Sequence, residues 1–172
     1  MALAALPLPA KVQILRSDDA HAIAFTGRTL VAYWQTETRE PAVNELASLL
    51  AGFATEFGRV GLLQIIDDRA IPPNGATRAA LAAMLKNNEA QLTASAVVFE
   101  GAGFRASVVR SIVIGIGMLS RLKCPHLIFA TTGEGIAWLS AQLSGAHSAP
   151  QSARGMQLAV DQLRERVRLV SA

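Results

Sequence analysis

Residues 61–66 read Gly-Leu-Leu-Gln-Ile-Ile and are followed at once by Asp67 and Asp68, and this stretch decides the fold class. A nearly continuous apolar run of this length is typical of a strand that is covered on both faces, as in parallel sheets. Residues 72–75 read Pro-Pro-Asn-Gly, which favours a turn, and an Ala-rich helical pattern occupies residues 76–92. The stretch therefore predicts a buried strand, a loop at its carboxyl end and a helix.

The sequence on either side of this unit predicts further strands and helices. Strand patterns occupy residues 11–16, 21–26, 29–35, 95–99 and 126–130, and helical patterns occupy residues 40–58, 104–122 and 133–143. The first three strands are joined by short turns and indicate an antiparallel meander. The later strands alternate with helices, and such connections generate parallel strands. We therefore expect an α/β fold with a mixed sheet, antiparallel first and parallel afterwards, and helices packed on it.

A last helical pattern closes the chain. Its apolar residues are spaced four, three and four apart: Met156, Val160, Leu163 and Val167. About two heptads are too short to form a stable helix alone in water. This face therefore either folds back on its own domain or serves as a docking or oligomerisation helix, and both interpretations stay open. The predicted organisation is a lead-in at 1–10, an α/β domain at 11–144, a linker at 145–154 and a C-terminal helix at 155–172.

Composition and charge exclude several classes of protein. Hydrophobic residues make up 51% of the chain and charged residues 17%, which excludes a disordered chain. The longest uncharged apolar stretch, residues 111–120, is about half of the roughly 20 residues that span a bilayer. The N-terminus has no basic residue before its first prolines, so we expect no signal peptide, no transmembrane segment and a cytoplasmic location. No basic stretch with interleaved aromatic residues indicates nucleic-acid binding, and the single Cys124 excludes an internal disulfide.

Chemistry in a parallel α/β sheet is expected in the loops that follow the strands. Three loops qualify, at residues 67–77, 100–105 and 131–134. The glycines of the second loop match neither the dinucleotide fingerprint nor a phosphate-binding loop, and no nucleophile–base or metal-ligand spacing occurs. We therefore predict no enzyme, no cofactor and no metal. The competing hypothesis is a metal-dependent enzyme that uses Asp67, Asp68 and Glu134.

The chain from about Val12 to Leu143 resembles the STAS domain, the SpoIIAA-like anti-sigma-factor-antagonist fold. The resemblance is carried by residues 61–67, the loop to Gly75 and the helix that follows. It implies a bacterial, cytoplasmic signalling protein. In that family a serine or threonine at the start of this helix is phosphorylated by a partner anti-sigma kinase, and the unphosphorylated form binds that partner. Here Asn74 and Gly75 occupy the position of the phosphoacceptor turn, and Thr77 is the nearby hydroxyl.

These observations predict a non-enzymatic STAS-like regulatory or scaffold protein that acts by protein–protein interaction. The predicted contact surface comprises Asp67, Asp68, Asn74, Gly75, Thr77 and Arg78. The expected partner is an anti-sigma-like or other signalling protein, a second copy of the chain, or both. The alternative is a domain that binds a small apolar, lipid-like ligand in a cavity lined by the helix at residues 108–119.

Overall fold

Six strands in one sheet and five α-helices make up residues 11–144 and 153–171, the part of the chain that the computed structural model describes. The strands are β1 (Val12–Ser17), β2 (His21–Thr26), β3 (Thr29–Trp34), β4 (Val60–Ile66), β5 (Leu92–Phe99) and β6 (His126–Phe129). The helices are α1 (Glu40–Phe57), α2 (Gly75–Asn87), α3 (Gly103–Ser120), α4 (Thr132–Ser144) and α5 (Ala153–Val170). This order is the one that the sequence predicts.

The strands lie side by side in the order in which they occur in the chain. The pairs β1–β2 and β2–β3 are antiparallel, whereas β3–β4, β4–β5 and β5–β6 are parallel. Gly27, with a φ of 58°, lies in the two-residue turn that reverses the chain between β2 and β3. The predicted mixed sheet, antiparallel first and parallel afterwards, is confirmed.

Helices cover the sheet on both faces, which explains the apolar run of β4. Successive side chains of a strand point to opposite faces. Leu62 packs into the cluster formed with α1, α2 and α3, whereas Leu63 and Ile65 pack into the cluster formed with α4 and α5. All three side chains are fully buried. The strand predicted from residues 61–66 is therefore buried on both faces, as its sequence indicates.

The C-terminal helix α5 packs on the antiparallel part of the sheet. Its side chains Met156, Val160, Leu163 and Val167 are all fully buried. They lie against the small and β-branched residues of β2 and β3: Ala22, Ala24 and Val31. Of the two interpretations of this helix, the observed packing agrees with the one in which the helix folds back on its own domain. Oligomerisation through these four side chains would require α5 to leave the sheet.

The predicted domain organisation can be compared with the described residues at α5. The helix begins at Ala153, so the last two residues of the predicted linker, 153 and 154, are helical. The rest of that linker and the lead-in at 1–10 lie outside the described residues. Because α5 contributes to the same core as α4, it completes the α/β domain.

The predicted helix over residues 76–92 is wrong at its end. Helix α2 stops at Asn87, a short 3-10 turn covers Glu89–Gln91, and β5 begins at Leu92. Asn88 closes the helix because its side-chain amide donates to the Met84 carbonyl oxygen at 2.9 Å. Leu92 pairs with Val60 and is fully buried. Strand pairing and burial at Leu92 therefore override the helical pattern of the sequence.

Replacing Leu163 with alanine tests the packing of α5. Because this side chain is fully buried against the sheet, we expect the free energy of unfolding to fall by about 2–5 kcal/mol. Leu169→Ala on the exposed side of the same helix is the control and should change it by less than about 0.5 kcal/mol. Urea unfolding followed by circular dichroism measures both. Equal effects of the two substitutions would contradict this packing.

Candidate functional site

The parallel strands β3, β4, β5 and β6 end on one side of the sheet, which we call the carboxyl edge. The loops at residues 67–74, 100–102 and 130–131 follow β4, β5 and β6 at this edge. Loops in this position collect ligand-binding and contact residues in open α/β sheets. The predicted contact residues all lie in the first of these loops or in the first turn of α2, so the structure brings them to a single region.

Asp67 is held by partners within the chain. Its Oδ2 atom accepts a hydrogen bond from the Tyr33 hydroxyl at 2.5 Å, and its Oδ1 atom accepts from Arg69 Nε at 2.9 Å and from the Arg69 backbone N–H at 3.0 Å. Its side chain is largely buried, whereas Asp68 is exposed. Asp67 thus fixes the start of the loop, and Asp68 faces solvent.

The ionisation of this cluster follows from its contacts. Burial raises the pKa of Asp67, but the hydrogen bonds from Arg69 and Tyr33 outweigh burial and hold the pKa well below its usual range. Burial, the hydrogen bond to Asp67 and the charge of that carboxylate together raise the pKa of Tyr33 to about 12. At neutral pH the pair is therefore a carboxylate and a neutral phenol, an arrangement that holds β3 and β4 together at the carboxyl edge.

A second polar cluster joins α5 to the same edge. Glu100 Oε1 accepts a hydrogen bond from the Thr132 hydroxyl at 2.5 Å, and Glu100 Oε2 accepts from Arg164 Nη2 at 2.5 Å. The Arg164 guanidinium also lies 6.0 Å from the centre of the Tyr33 ring. The sequence places Arg164 on the polar face of the last helix, and no local pattern connects it with Glu100, which is 64 residues away. The structure therefore adds Arg164 to the edge.

The first turn of α2 is capped by a predicted contact residue. Asn74 Oδ1 accepts a hydrogen bond from the Thr77 backbone N–H at 2.9 Å, which is the usual N-cap arrangement. Thr77 is only 4% exposed, whereas Gly75 and Arg78 are exposed. The side chains of Asp67 and Thr77 thus make contacts within the fold, and the side-chain oxygen of Asn74 is occupied by the N-cap hydrogen bond. Asp68, Gly75 and Arg78 remain on the surface.

Two large apolar side chains project from the carboxyl edge, and neither is among the contact residues that the sequence predicts. Ile71 is 64% exposed and Phe104 is 84% exposed. The backbone of the first loop is fixed near Ile71, since Ile71 N–H donates to the Thr36 carbonyl oxygen at 2.5 Å and Arg105 Nη2 donates to the Ala70 carbonyl oxygen at 2.9 Å. Phe104 lies in the first turn of α3. The only signal in the sequence is that each lies beside turn residues, Pro72 in one case and Gly103 in the other.

A small cavity lies beneath the first loop, between the sheet, α2 and α3. Its volume is about 50 Å³, room for about four water molecules. It is mainly apolar, and α3 contributes Val109, Ile112, Val113 and Ile116. Gln64 and His126 also line it, and burial lowers the pKa of His126, so the imidazole is neutral at pH 7. Helix α3 thus lines this cavity, and the binding of a small apolar ligand stays a prediction.

The competing hypothesis of a metal-dependent enzyme finds little support in the contacts of its acids. Within residues 11–144 and 153–171, no group of three or more His, Cys, Asp or Glu side chains is arranged to hold a metal ion. Asp67 is bonded to Tyr33 and Arg69, whereas Glu134 Oε2 accepts from the backbone N–H and hydroxyl of Thr131 at 3.2 and 3.0 Å. The two carboxylates therefore serve separate local structures.

Comparison with known proteins gives a structural similarity but no sequence match. No protein-family model and no curated protein matches this sequence. Among solved structures, the chain is similar to an uncharacterized protein of the DUF3478 family with a SpoIIAA-like fold from Shewanella loihica PV-4. The two share 11% sequence identity, the match covers 76% of this chain and 93% of the other, and the TM-score is 0.44. This similarity assigns no function to the chain.

The pair of Tyr33 and Asp67 can be tested by titration, because Tyr33 is the single tyrosine of the chain. We expect its absorbance change at alkaline pH to centre near 12, about two units above the ordinary value. Asp67→Asn should move the midpoint towards 10, because the hydrogen bond to a charged carboxylate is lost. Asp68→Asn is the matched control and should leave it in place. An unchanged midpoint in Asp67→Asn would contradict the pairing.

The same shift predicts how stability depends on pH. The folded chain keeps the Tyr33 proton to a higher pH than the unfolded chain does. The stabilisation from this group is therefore fully present below about pH 10 and is lost as the pH rises from about 10 to 12. Tyr33→Phe should show a weaker decline over that interval in urea unfolding experiments.

Proposed function

We propose that this chain is a non-enzymatic STAS-like regulatory or scaffold protein that binds another protein through its carboxyl edge. The observation that supports this function best is the exposure of Ile71, on a loop whose backbone is fixed by hydrogen bonds, and of Phe104, in the first turn of α3. Exposed apolar side chains that cluster on a surface mark protein-binding sites more often than isolated ones do. The bacterial cytoplasm is the proposed setting, and it rests on the STAS resemblance alone.

The fixed backbone favours binding. A loop that is already ordered loses little conformational entropy when a partner covers it, so more of the contact energy contributes to affinity. Asp67, Asn74 and Arg105 each hold this region through a hydrogen bond to the backbone. In the proposed complex Ile71 and Phe104 are therefore the central apolar contacts.

The exposed charges of the predicted contact surface surround these apolar contacts. Asp68 and Arg78 are both exposed and flank the loop that carries Ile71. Charged groups at the rim of an interface contribute mainly to the association rate and to specificity. The proposed partner thus presents an apolar centre with charges of both signs around it.

The proposed interaction does not involve phosphorylation of Thr77. A phosphoswitch adds nearly two negative charges at a helix N-terminus and needs an accessible hydroxyl. Thr77 is buried, and its backbone N–H is already bonded to Asn74. The proposed interaction therefore depends on the shape of the edge, without a phosphate.

Affinity capture from the lysate of the source organism tests the proposed site. The bait proteins are the wild-type chain, Ile71→Asp, Phe104→Asp and the control Leu158→Asp, whose side chain is exposed in the first half of α5. We expect at least one protein to be enriched by the wild type and the control and to fall about tenfold or more with each edge variant, as for a central apolar contact.

Quantitative mass spectrometry measures this enrichment, and circular dichroism verifies that all four baits are folded. If no captured protein depends on Ile71 or Phe104, or if Leu158→Asp loses the same proteins, the carboxyl edge is not the binding surface.

The cavity supports a second candidate function, binding of a small apolar ligand. Its lining is mainly apolar, and His126 and the hydrogen-bonded pair Trp34 and Gln64 supply the polar groups. A lipid-like ligand is larger than the cavity, so the loop at 67–74 would have to move outwards. Native mass spectrometry of the chain purified from its own host tests this function. A retained apolar molecule that is lost in Val113→Trp would support it, and a ligand-free mass in every charge state would contradict it.

A further inference from the structure

A second apolar surface lies at the opposite end of α3 from Phe104, between α3 and β6. We call it the α3–β6 groove, and its lining residues include Val113, Ile114, Gly117, Met118, Leu122, Leu127 and Ile128. Its volume is about 530 Å³ and it is open to solvent. Met118 is 74% exposed, and Ile114 and Leu127 are also exposed. The groove is separate from the carboxyl edge, because it extends towards the start of β6.

Helix α3 is more apolar than its burial explains. It spans 18 residues with a mean hydropathy of 1.3, enough by length and composition to cross a membrane, yet only 28% of it is buried. On its exposed side the Ser111 hydroxyl donates to the Ser107 carbonyl oxygen at 2.9 Å and so is satisfied within the helix. The large apolar side chains Ile114, Met118 and Leu119 are exposed on α3, as expected of a surface that is covered by another molecule.

Strand β6 forms one edge of the sheet and, apart from its short length, carries neither the bulge nor the charges that often protect an edge. Within residues 11–144 and 153–171, no strand pairs with its outer side. The opposite edge strand, β1, has an irregular register between Ile14 and Arg16 and a charged residue at that point. Bulges and charges of this kind prevent pairing with other chains. The four residues of β6 contain neither a bulge nor a Lys, Arg, Asp or Glu, so the outer side of β6 is free to pair.

The charged side chains around the groove are mainly basic. From residue 101 to residue 133 the chain contains Arg105, Arg110, Arg121 and Lys123 and no Asp or Glu. Arg121 lines the groove, and Lys123 lies one residue before Cys124, which also lines it. Glu89 reaches the end of this region, but its carboxylate accepts the Lys123 backbone N–H. Charge complementarity therefore favours an acidic occupant and disfavours a second copy of this chain, which would place basic groups against basic groups.

The unpaired strand edge distinguishes a polypeptide from a lipid. The hydrocarbon of a membrane cannot satisfy the backbone N–H and C=O groups on the outer side of β6, and open sheet edges do not occur in it. A polypeptide in extended conformation satisfies these groups with its own backbone and inserts alternate side chains beside the sheet. The combination of an open edge and an apolar groove thus fits a protein segment best.

From these observations we infer that the α3–β6 groove binds an extended segment of a partner protein, which adds to β6 as a seventh strand. The four residues of β6 pair with a similarly short apolar stretch, and every second side chain of that stretch packs against Ile114, Met118 and Ile128. Acidic residues that flank the stretch meet Arg121 and Lys123. This inference does not rest on the function proposed for the carboxyl edge.

Three synthetic peptides with a fluorescent label test the inference on the full chain. The first reads Glu-Glu-Val-Ile-Val-Val-Glu-Glu, the second has lysine at the four glutamate positions, and the third has proline in place of the isoleucine and the last valine. We expect the acidic peptide to bind, and the basic and proline peptides to bind about tenfold more weakly or not at all, because charge and strand pairing respectively are lost. Fluorescence anisotropy at low salt measures the affinities.

Variants of the chain locate the site. Met118→Glu should weaken binding of the acidic peptide about tenfold, whereas Leu158→Glu on α5 and Ile71→Asp at the carboxyl edge should leave it unchanged. Reversal of both rim charges, Arg121→Glu with Lys123→Glu, should make the basic peptide the tighter ligand. Hydrogen exchange should show that the amides of β6 become protected when the acidic peptide binds.

Three outcomes would overturn the inference. The first is equal binding of all three peptides, or no binding of the acidic one. The second is a dimer in light scattering that Met118→Glu converts to a monomer, which would make a second copy the occupant. The third is binding to vesicles of phosphatidylcholine and phosphatidylglycerol that Met118→Glu abolishes while the acidic peptide does not bind, which would make a membrane the occupant.

Discussion

The need to cover the sheet on both faces governs the rest of this structure. Parallel strands such as β4 are apolar on both sides, and an uncovered face would leave side chains such as Leu63 and Ile65 in water. Helices α1, α2 and α3 cover one face. On the other face α4 covers the parallel strands, and α5 returns from the end of the chain to cover the antiparallel ones. The last helix is therefore as much a part of the core as the strands beneath it.

Polar contacts at the carboxyl edge connect these layers and shape the candidate site. Tyr33 belongs to β3, its hydroxyl is bonded to Asp67 after β4, and its ring lies near Arg164 of α5. Arg164 is in turn bonded to Glu100 after β5. Asp67, an acid of the competing metal-dependent hypothesis, is thus used to hold elements together. The large apolar side chains exposed at the edge are Ile71 and Phe104.

The parts of the fold that were predictable are those in which local pattern and tertiary packing agree. Residues 61–66 have the composition of a buried strand and form one, and the turn at Gly27 is evident from a single glycine between two alternating segments. The boundary near Leu92 was not predictable from propensity, because an Ala-rich segment favours a helix until the pairing with Val60 is known. Short-range signals describe an element better than they describe its end.

The candidate site was predictable in position but not in detail. The topology places the loop after β4 at the carboxyl edge, and this is the loop in which the sequence predicts contact residues. Whether Asp67 and Thr77 face a partner or the fold depends on Tyr33 and Asn74, and the contribution of Arg164 depends on a contact across 64 residues. The exposure of Ile71 and Phe104 cannot be predicted from hydrophobic periodicity, because a single exposed apolar residue does not recur along the sequence.

The return of α5 to the first strands has a consequence for the growing chain on the ribosome. The hydroxyl of Ser171, at the end of this helix, reaches the carbonyl of Asp19, across 152 residues of sequence. At the usual elongation rate of about 5–20 residues per second, the opening hairpins emerge about 8–30 s before their cover is synthesised. During that interval the alanine- and valine-rich side of the nascent meander is exposed, and chaperones that bind apolar strands have time to engage it.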